Sequence, residues 1–166
     1  MEQEVIFEYL EVKDVPEKVN DMSVVAKVLE KAPGTIIPAR YYPIIEIVET
    51  EDSQRSFNAV CELVYLFVNG TNGVKKNYIL AVYYSDMLLE WALNNQPEPF
   101  DHYVVVENMK NRAVIEGDHE NWEEARKRFL EAYRYQVKNQ EPEEWDGEIL
   151  DYLYATIQEM SPELFE

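Results

Sequence analysis

The chain has 166 residues, 46% of them hydrophobic, which is enough for one folded domain with an apolar core that needs neither disulfides nor metals. Its 33 acidic residues outnumber 15 basic ones, for a formal net charge of −18. Such a field repels the phosphates of nucleic acid and the anionic surface of a membrane, and it attracts basic proteins at long range, although the same charge also serves plain solubility.

Val5 to Val12 is β-branched and aromatic and predicts a strand, which Pro16 interrupts. From Glu17 to Lys31, Val19, Met22, Val24, Val25, Val28 and Leu29 recur at helical spacing, and Pro33-Gly34 ends that helix. Tyr42 to Glu49 predicts a second strand, followed by the polar loop Glu51-Asp52-Ser53-Gln54. Phe57 to Val68 and Lys76 to Ser85 flank Asn69-Gly70-Thr71-Asn72-Gly73. Two Asn-Gly pairs between strand-like runs predict a hairpin, because Asn and Gly adopt positive φ cheaply. The first arm is apolar on both faces and predicts a central strand covered on both sides.

Ser85 is a cap for a short helix, Asp86 to Asn94, that Pro97-Glu98-Pro99 stops. His102 to Glu107 and Arg112 to Glu116 predict a second hairpin around Asn108-Met109-Lys110-Asn111. Asp118 then caps a long helix from His119 to about Lys138, with Trp122, Ala125, Phe129, Ala132 and Tyr133 as its apolar stripe. Gln140 to Asp146 is an acidic joint containing a proline. A last helix runs from about Asp146 to Met160 and turns Ile149, Leu150, Leu153, Tyr154, Ile157 and Met160 to one side. The order lacks the regular alternation of a doubly wound fold. It predicts an α+β class, with a mainly antiparallel sheet of about five or six strands and about four helices packed against it. Residues 1–166 then form a single acidic domain with an acidic helical segment from about residue 139.

The acids concentrate at the end of the chain. No lysine or arginine follows Lys138, whereas Glu141, Glu143, Glu144, Asp146, Glu148 and Asp151 do. This one-sign surface beside an amphipathic helix is the expected partner-binding face, suited to a basic protein. If its carboxylates were spaced like duplex phosphates, it would act as a nucleic-acid mimic. The plain alternative is a solvated helix face whose acids favour the helix N-terminus. Arg126-Lys127-Arg128 is the one basic cluster, and Glu123 and Glu124, four positions before Lys127 and Arg128, neutralise it within its own helix.

Three acids interrupt apolar strand-like runs: Glu8, Glu46 and Glu62. Gathered on one face, they would hold magnesium or manganese for a metal-dependent nuclease or other hydrolase. Pointing outward from a sheet, they would only line solvent. Asp101, Glu107 and Lys110 stand in suggestive order, but on a strand end and a turn. His102 follows Asp101 and His119 follows Asp118, so each has a carboxylate beside it in sequence, as a general base requires. Cys61, the one cysteine, sits in an apolar run that predicts an inert buried thiol. No zinc, phosphate-loop, dinucleotide or nucleophile-elbow motif occurs. The 12 tyrosines, clustered at Tyr41-Tyr42, Tyr83-Tyr84, Tyr133 and Tyr135, suit either a core or an interface with an arginine-rich surface.

Met1-Glu2-Gln3-Glu4 lacks the basic start and apolar stretch of a signal peptide, and no apolar run is long enough to span a membrane. The expectation is therefore a cytoplasmic, non-enzymatic binding protein without a cofactor. It docks on and inhibits or regulates a basic partner that handles nucleic acid, in the manner of an immunity protein or of a viral or mobile-element inhibitor. It makes no direct contact with nucleic acid or membrane. The alternatives are the metal-dependent hydrolase and a structural or assembly subunit that forms a homo-oligomer.

Overall fold

The computed structural model describes residues 7–160, and among them there are seven α-helices and no strand. The helices are α1 (Met22–Leu29), α2 (Tyr42–Thr50), α3 (Gln54–Asn69), α4 (Tyr78–Asn94), α5 (His102–Asp118), α6 (Trp122–Asn139) and α7 (Glu148–Met160). Short 3-10 turns occupy Val12–Asp14, Ala39–Tyr41 and Pro142–Glu144. The expected α+β architecture with its antiparallel sheet is therefore corrected to an all-helical one.

Each mistaken strand has a physical reason. Tyr42–Thr50 carries Pro43 at the start of the helix, where a missing N–H costs nothing. Ile44, Ile45 and Ile47 are all buried, and this run of β-branched residues is short enough to read as a strand. A short continuous apolar run does not distinguish a buried strand from a buried helix. In α3, Ser53 Oγ accepts the Ser56 N–H at 3.1 Å and caps the helix. The buried positions Ser56, Ala59, Val60, Leu63, Leu66 and Phe67 then follow helical spacing.

The Asn-Gly segment uses its positive φ to stop a helix and not to close a hairpin. Gly70, at φ 66°, donates its N–H to the Leu66 carbonyl at 2.9 Å, and a Cβ there would lie 2.8 Å from the Lys76 nitrogen. Asn72 and Gly73 continue the turn at φ 56° and 81°. Asn77 then opens α4, its Oδ1 accepting the Leu80 N–H at 3.0 Å. The strand expected over Lys76 to Ser85 and the helix expected over Asp86 to Asn94 are thus one helix. The second hairpin is also one helix, α5. Asn108-Met109-Lys110-Asn111 contains no glycine or proline to break it, and Asp101 caps its start through the Tyr103 N–H at 2.9 Å. Asp118, expected to cap the next helix, is instead the last residue of α5. Of the first expected strand, Phe7 to Val12 is irregular up to the start of a 3-10 turn, and Val5 and Ile6 lie outside the described residues. The long helix α6 and the last helix α7 match the expectation closely.

The helices form two compact units, divided between Tyr84 and Ser85 within α4. In the first, α1, α2, α3 and the start of α4 bury Val25, Ile44, Ile45, Leu63, Leu66 and Leu80 almost completely. Each such side chain contributes about 1.5–3 kcal/mol of hydrophobic stabilisation. In the second, Val106, Ala113, Ala125, Phe129, Ala132 and Ile149 form the core of α5, α6 and α7, with Leu153 packed against it. The alanines facing each other on α5 and α6 let the two backbones approach closely.

The second unit also buries an ion network. Arg112 Nη1 donates to Glu116 Oε1 at 2.6 Å, and Arg112 Nε donates to Asp86 Oδ1 at 2.8 Å. Asn121 Nδ2 donates to the other Glu116 oxygen at 3.0 Å, tying α4, α5 and the start of α6 together. Arg112 is 4% exposed and Glu116 1%. Replacing Arg112 with Met takes the compensating cation from the buried Glu116 carboxylate, so R112M is expected to lose about 3–5 kcal/mol of stability in urea unfolding.

Candidate functional site

Gln136 Oε1, on α6, accepts the Asp146 N–H at 2.9 Å and fixes the joint before α7. Asp146 Oδ1 in turn accepts the Glu148 N–H at 3.0 Å and caps α7, while Oδ2 receives Lys110 Nζ at 2.6 Å. Lys110, on α5, also donates to Glu107 at 3.2 Å and lies 3.5 Å from Glu148. Burial works against the ammonium, but its bonds to Asp146 and Glu107 outweigh that and raise it above its ordinary range. Burial likewise pushes the Asp146 carboxyl up, and the bonds from Lys110 and the Glu148 N–H prevail and lower it below its ordinary 3.8. Asp146 is therefore a joint that holds α7, partly withdrawn from solvent.

The other expected docking acids, Glu141, Glu143, Glu144, Glu148 and Asp151, are exposed. Glu144 Oε1 accepts the Glu141 N–H at 3.3 Å, which orders the 3-10 turn that presents them. Trp145 anchors the same turn by donating Nε1–H to the Gln140 carbonyl at 3.0 Å. Helix α7 rests on the unit through Ile149 and Thr156, its only fully buried described side chains, and leaves Leu150 and Tyr154 in solvent at 44% and 63% exposure. Its outer face thus mixes carboxylates with uncovered apolar and aromatic groups.

Glu8, Glu46 and Glu62 are not on strands. Glu46 is in α2, and its two oxygens accept the N–H groups of Asn20 and Asp21 at 2.9 and 2.7 Å. Glu62 is in α3, and its oxygens accept the N–H groups of Glu8 and Tyr9 at 3.1 and 2.9 Å. The backbone of Glu8 reaches Glu62 while its side chain is exposed, and Glu46 binds a different stretch of chain. Both buried carboxylates act as clamps for irregular backbone that no helix satisfies. Among the described residues, no group of three or more His, Cys, Asp or Glu is placed to hold a metal ion.

The remaining candidates are also placed. The Cys61 thiol is pushed up to about 11, first by burial and then by the Glu62 carboxylate, which suppresses the thiolate that a nucleophile needs. His102 Nδ1 pairs with the Tyr135 hydroxyl at 2.7 Å on α6. His119 follows the last residue of α5 instead of opening a helix. Of the helical ion pairs expected around the basic cluster, Glu124–Arg128 is formed at 2.9 Å.

Two concave features have no signature in the sequence, because each is lined from helices far apart along the chain. In the first unit, Lys27 of α1 and Lys31 in the turn after it rim a cleft of about 320 Å³ with Glu49 and Tyr83. Tyr83 donates its hydroxyl to Glu49 at 2.9 Å, and Lys31 Nζ stands 4.7 Å from the Tyr83 ring centre. Burial, then the bond to Glu49, pushes the Tyr83 hydroxyl up to about 12. In the second unit, an apolar cavity of about 210 Å³ opens between the end of α5, the start of α6 and α7. The stacked rings of Phe129 and Tyr152, 4.9 Å apart, form part of its wall.

Glu62→Ala is expected to cost about 2–3 kcal/mol in urea unfolding, because two backbone donors lose a charged acceptor, while Glu143→Ala stays within about 0.5 kcal/mol. For Asp146 the folded value is the lower one. Its contribution is present above 3.8, the ordinary value, and is lost as pH falls through the folded value. Lys110→Met is therefore expected to lower stability at neutral pH by about 1–3 kcal/mol and to flatten the loss below pH 3.8, read from unfolding curves across the acid range.

Among the described residues, no helix is long and apolar enough to cross a membrane. No protein-family model, curated protein or solved structure is significantly similar to the chain.

Proposed function

We propose that this is a non-enzymatic acidic binding protein of the cytoplasm. It docks its C-terminal acidic face on a basic protein that handles nucleic acid, and so blocks or regulates that protein. One observation carries the reading. From Glu141 onward the chain presents exposed carboxylates on an ordered turn and helix, with no base after Lys138 and with Leu150 and Tyr154 uncovered among them. Charge at the rim of an interface steers encounter and sets register, whereas apolar and aromatic groups near its centre supply most of the affinity. The outer face of α7 offers both.

The partner's chemistry follows from the field. A net charge of −18 disfavours a second polyanion as the direct ligand and favours a surface rich in lysine or arginine. Such surfaces belong above all to proteins that bind phosphate backbones, and an acidic face that occupies them competes with DNA or RNA. Immunity proteins against basic nucleases and inhibitors of nucleic-acid machinery work by this physics. Asp146 is not part of the contact in this reading, since it is committed to Lys110 and to the start of α7.

The test uses the tagged full-length chain as bait in cell extract, eluted by a salt gradient and separately by competing DNA or RNA. A basic nucleic-acid-handling protein, released by either treatment, is the expected capture. Reversing Glu143, Glu144, Glu148 and Asp151 to Lys is expected to weaken that capture at least about 100-fold at low salt, with helicity retained. Undiminished capture by the reversed variant would remove the C-terminal face from the interface.

A further inference from the structure

We infer that the apolar cavity of the second unit receives one aromatic or large aliphatic side chain of the basic partner, flanked in that partner by lysine or arginine. The inference rests on the docking reading above and adds an anchor to the uncovered Leu150 and Tyr154. The cavity is lined by Val114, Gly117, Trp122, Phe129, Tyr152 and Thr156, with Ala155 and Asp118 at its edge. A volume of about 210 Å³ accommodates one such side chain. Two lining positions are small. Gly117 has no side chain, and a Cβ there would meet Trp122 Cζ3 at 3.4 Å. Ala155, on α7, lines the cavity with only a methyl group.

The charges around the opening select the occupant. Tyr152, Ala155 and Thr156 lie on one stripe of α7, and helical spacing places Glu148 one turn before them and Glu159 one turn after. Asp118, at the end of α5, lines the cavity itself. All three acids are exposed. Glu148 lies 3.5 Å from Lys110, yet its side chain remains 67% exposed. Arg126, one turn beyond Trp122 on α6, is the base on that stripe, so the acids named here outnumber it. A free apolar molecule gains nothing from such a rim. An apolar side chain between two cationic residues gains both the desolvated pocket and paired charges at its edge, the arrangement of an interface hot spot.

The probes are capped synthetic peptides titrated into the full-length ¹⁵N-labelled protein and followed by NMR. They are Arg-Lys-Phe-Lys-Arg, Arg-Lys-Ala-Lys-Arg and the uncharged Gly-Ser-Phe-Ser-Gly. The phenylalanine peptide with basic flanks is expected to shift the Gly117 amide and the Trp122 indole N–H. It is also expected to bind at least about tenfold more tightly than either control. Ala155→Phe, at an exposed position, fills the cavity from α7, and Gly117→Ala narrows it from α5. Each is expected to abolish the preference for phenylalanine over alanine while leaving the weak binding of the alanine peptide unchanged.

Equal binding of the two basic peptides, or shifts that avoid Gly117 and Trp122, would overturn the inference. Binding of the uncharged peptide as tightly as the basic one would do the same, since the acidic rim would then select nothing. The larger reading is separated by the capture experiment. If Ala155→Phe captures the basic partner as well as the unaltered chain does, while the charge-reversed variant fails, the docking face stands and the anchor is overturned. If the unaltered chain binds no basic peptide and captures no basic protein, both fall together.

Discussion

A carboxylate withdrawn from water must find donors, and in this chain the buried acids find them on segments that no helix would otherwise hold. Glu46 takes the two amides just before α1, and Glu62 takes the two amides of Glu8 and Tyr9. In the second unit Glu116 is held between Arg112 and Asn121, and Asp146 between Lys110 and its own helix. Apart from the Arg112–Glu116 pair within α5, these contacts join a regular element to an irregular one, or one helix to the next. Helix hydrogen bonds are local and leave the loops free, so the path of the chain between helices depends on these side chains.

The consequence is a division of labour among 33 acids. The few that are buried are committed to structure, and the exposed ones set the field. Glu141, Glu143, Glu144, Glu148 and Asp151 belong to the second group, on a 3-10 turn and on a helix that fully buries little beyond Ile149 and Thr156. A helix so lightly covered keeps a surface of mixed charge and apolar character, the composition found where one protein meets another. Where α7 does touch its neighbours it leaves the cavity beside Phe129 and Tyr152, so the same helix presents both the acidic rim and the apolar recess.

Reading the sequence for sheets failed for one cause, which particular residues make plain. Ile44, Ile45 and Ile47 form a short run of buried β-branched residues in α2, and α4 and α5 carry apolar residues on several sides, so the amphipathic period that marks α6 and α7 is weak in those last two. The Asn-Gly segment deepened the error, since positive φ at Gly70 serves a helix end as well as a hairpin. Glu8, Glu46 and Glu62 looked like catalytic acids because they interrupted apolar runs. In the folded chain that interruption marks acceptors for distant backbone amides, which no local pattern encodes.

The sequence by itself determined the sign and the size of the electrostatic field, the one-sign end of the chain, and the two amphipathic helices α6 and α7. These depend only on composition and on a 3.6-residue period. Tertiary structure alone decided that the ambiguous apolar runs are helices, that Asp146 is pinned by Lys110 while its neighbours stay exposed, and that small residues on α5 and α7 leave an apolar recess. The reason is that a partner more than twenty positions away in the chain, such as Lys110 for Asp146 or Tyr152 for Phe129, is specified by packing geometry, and packing geometry has no local signature.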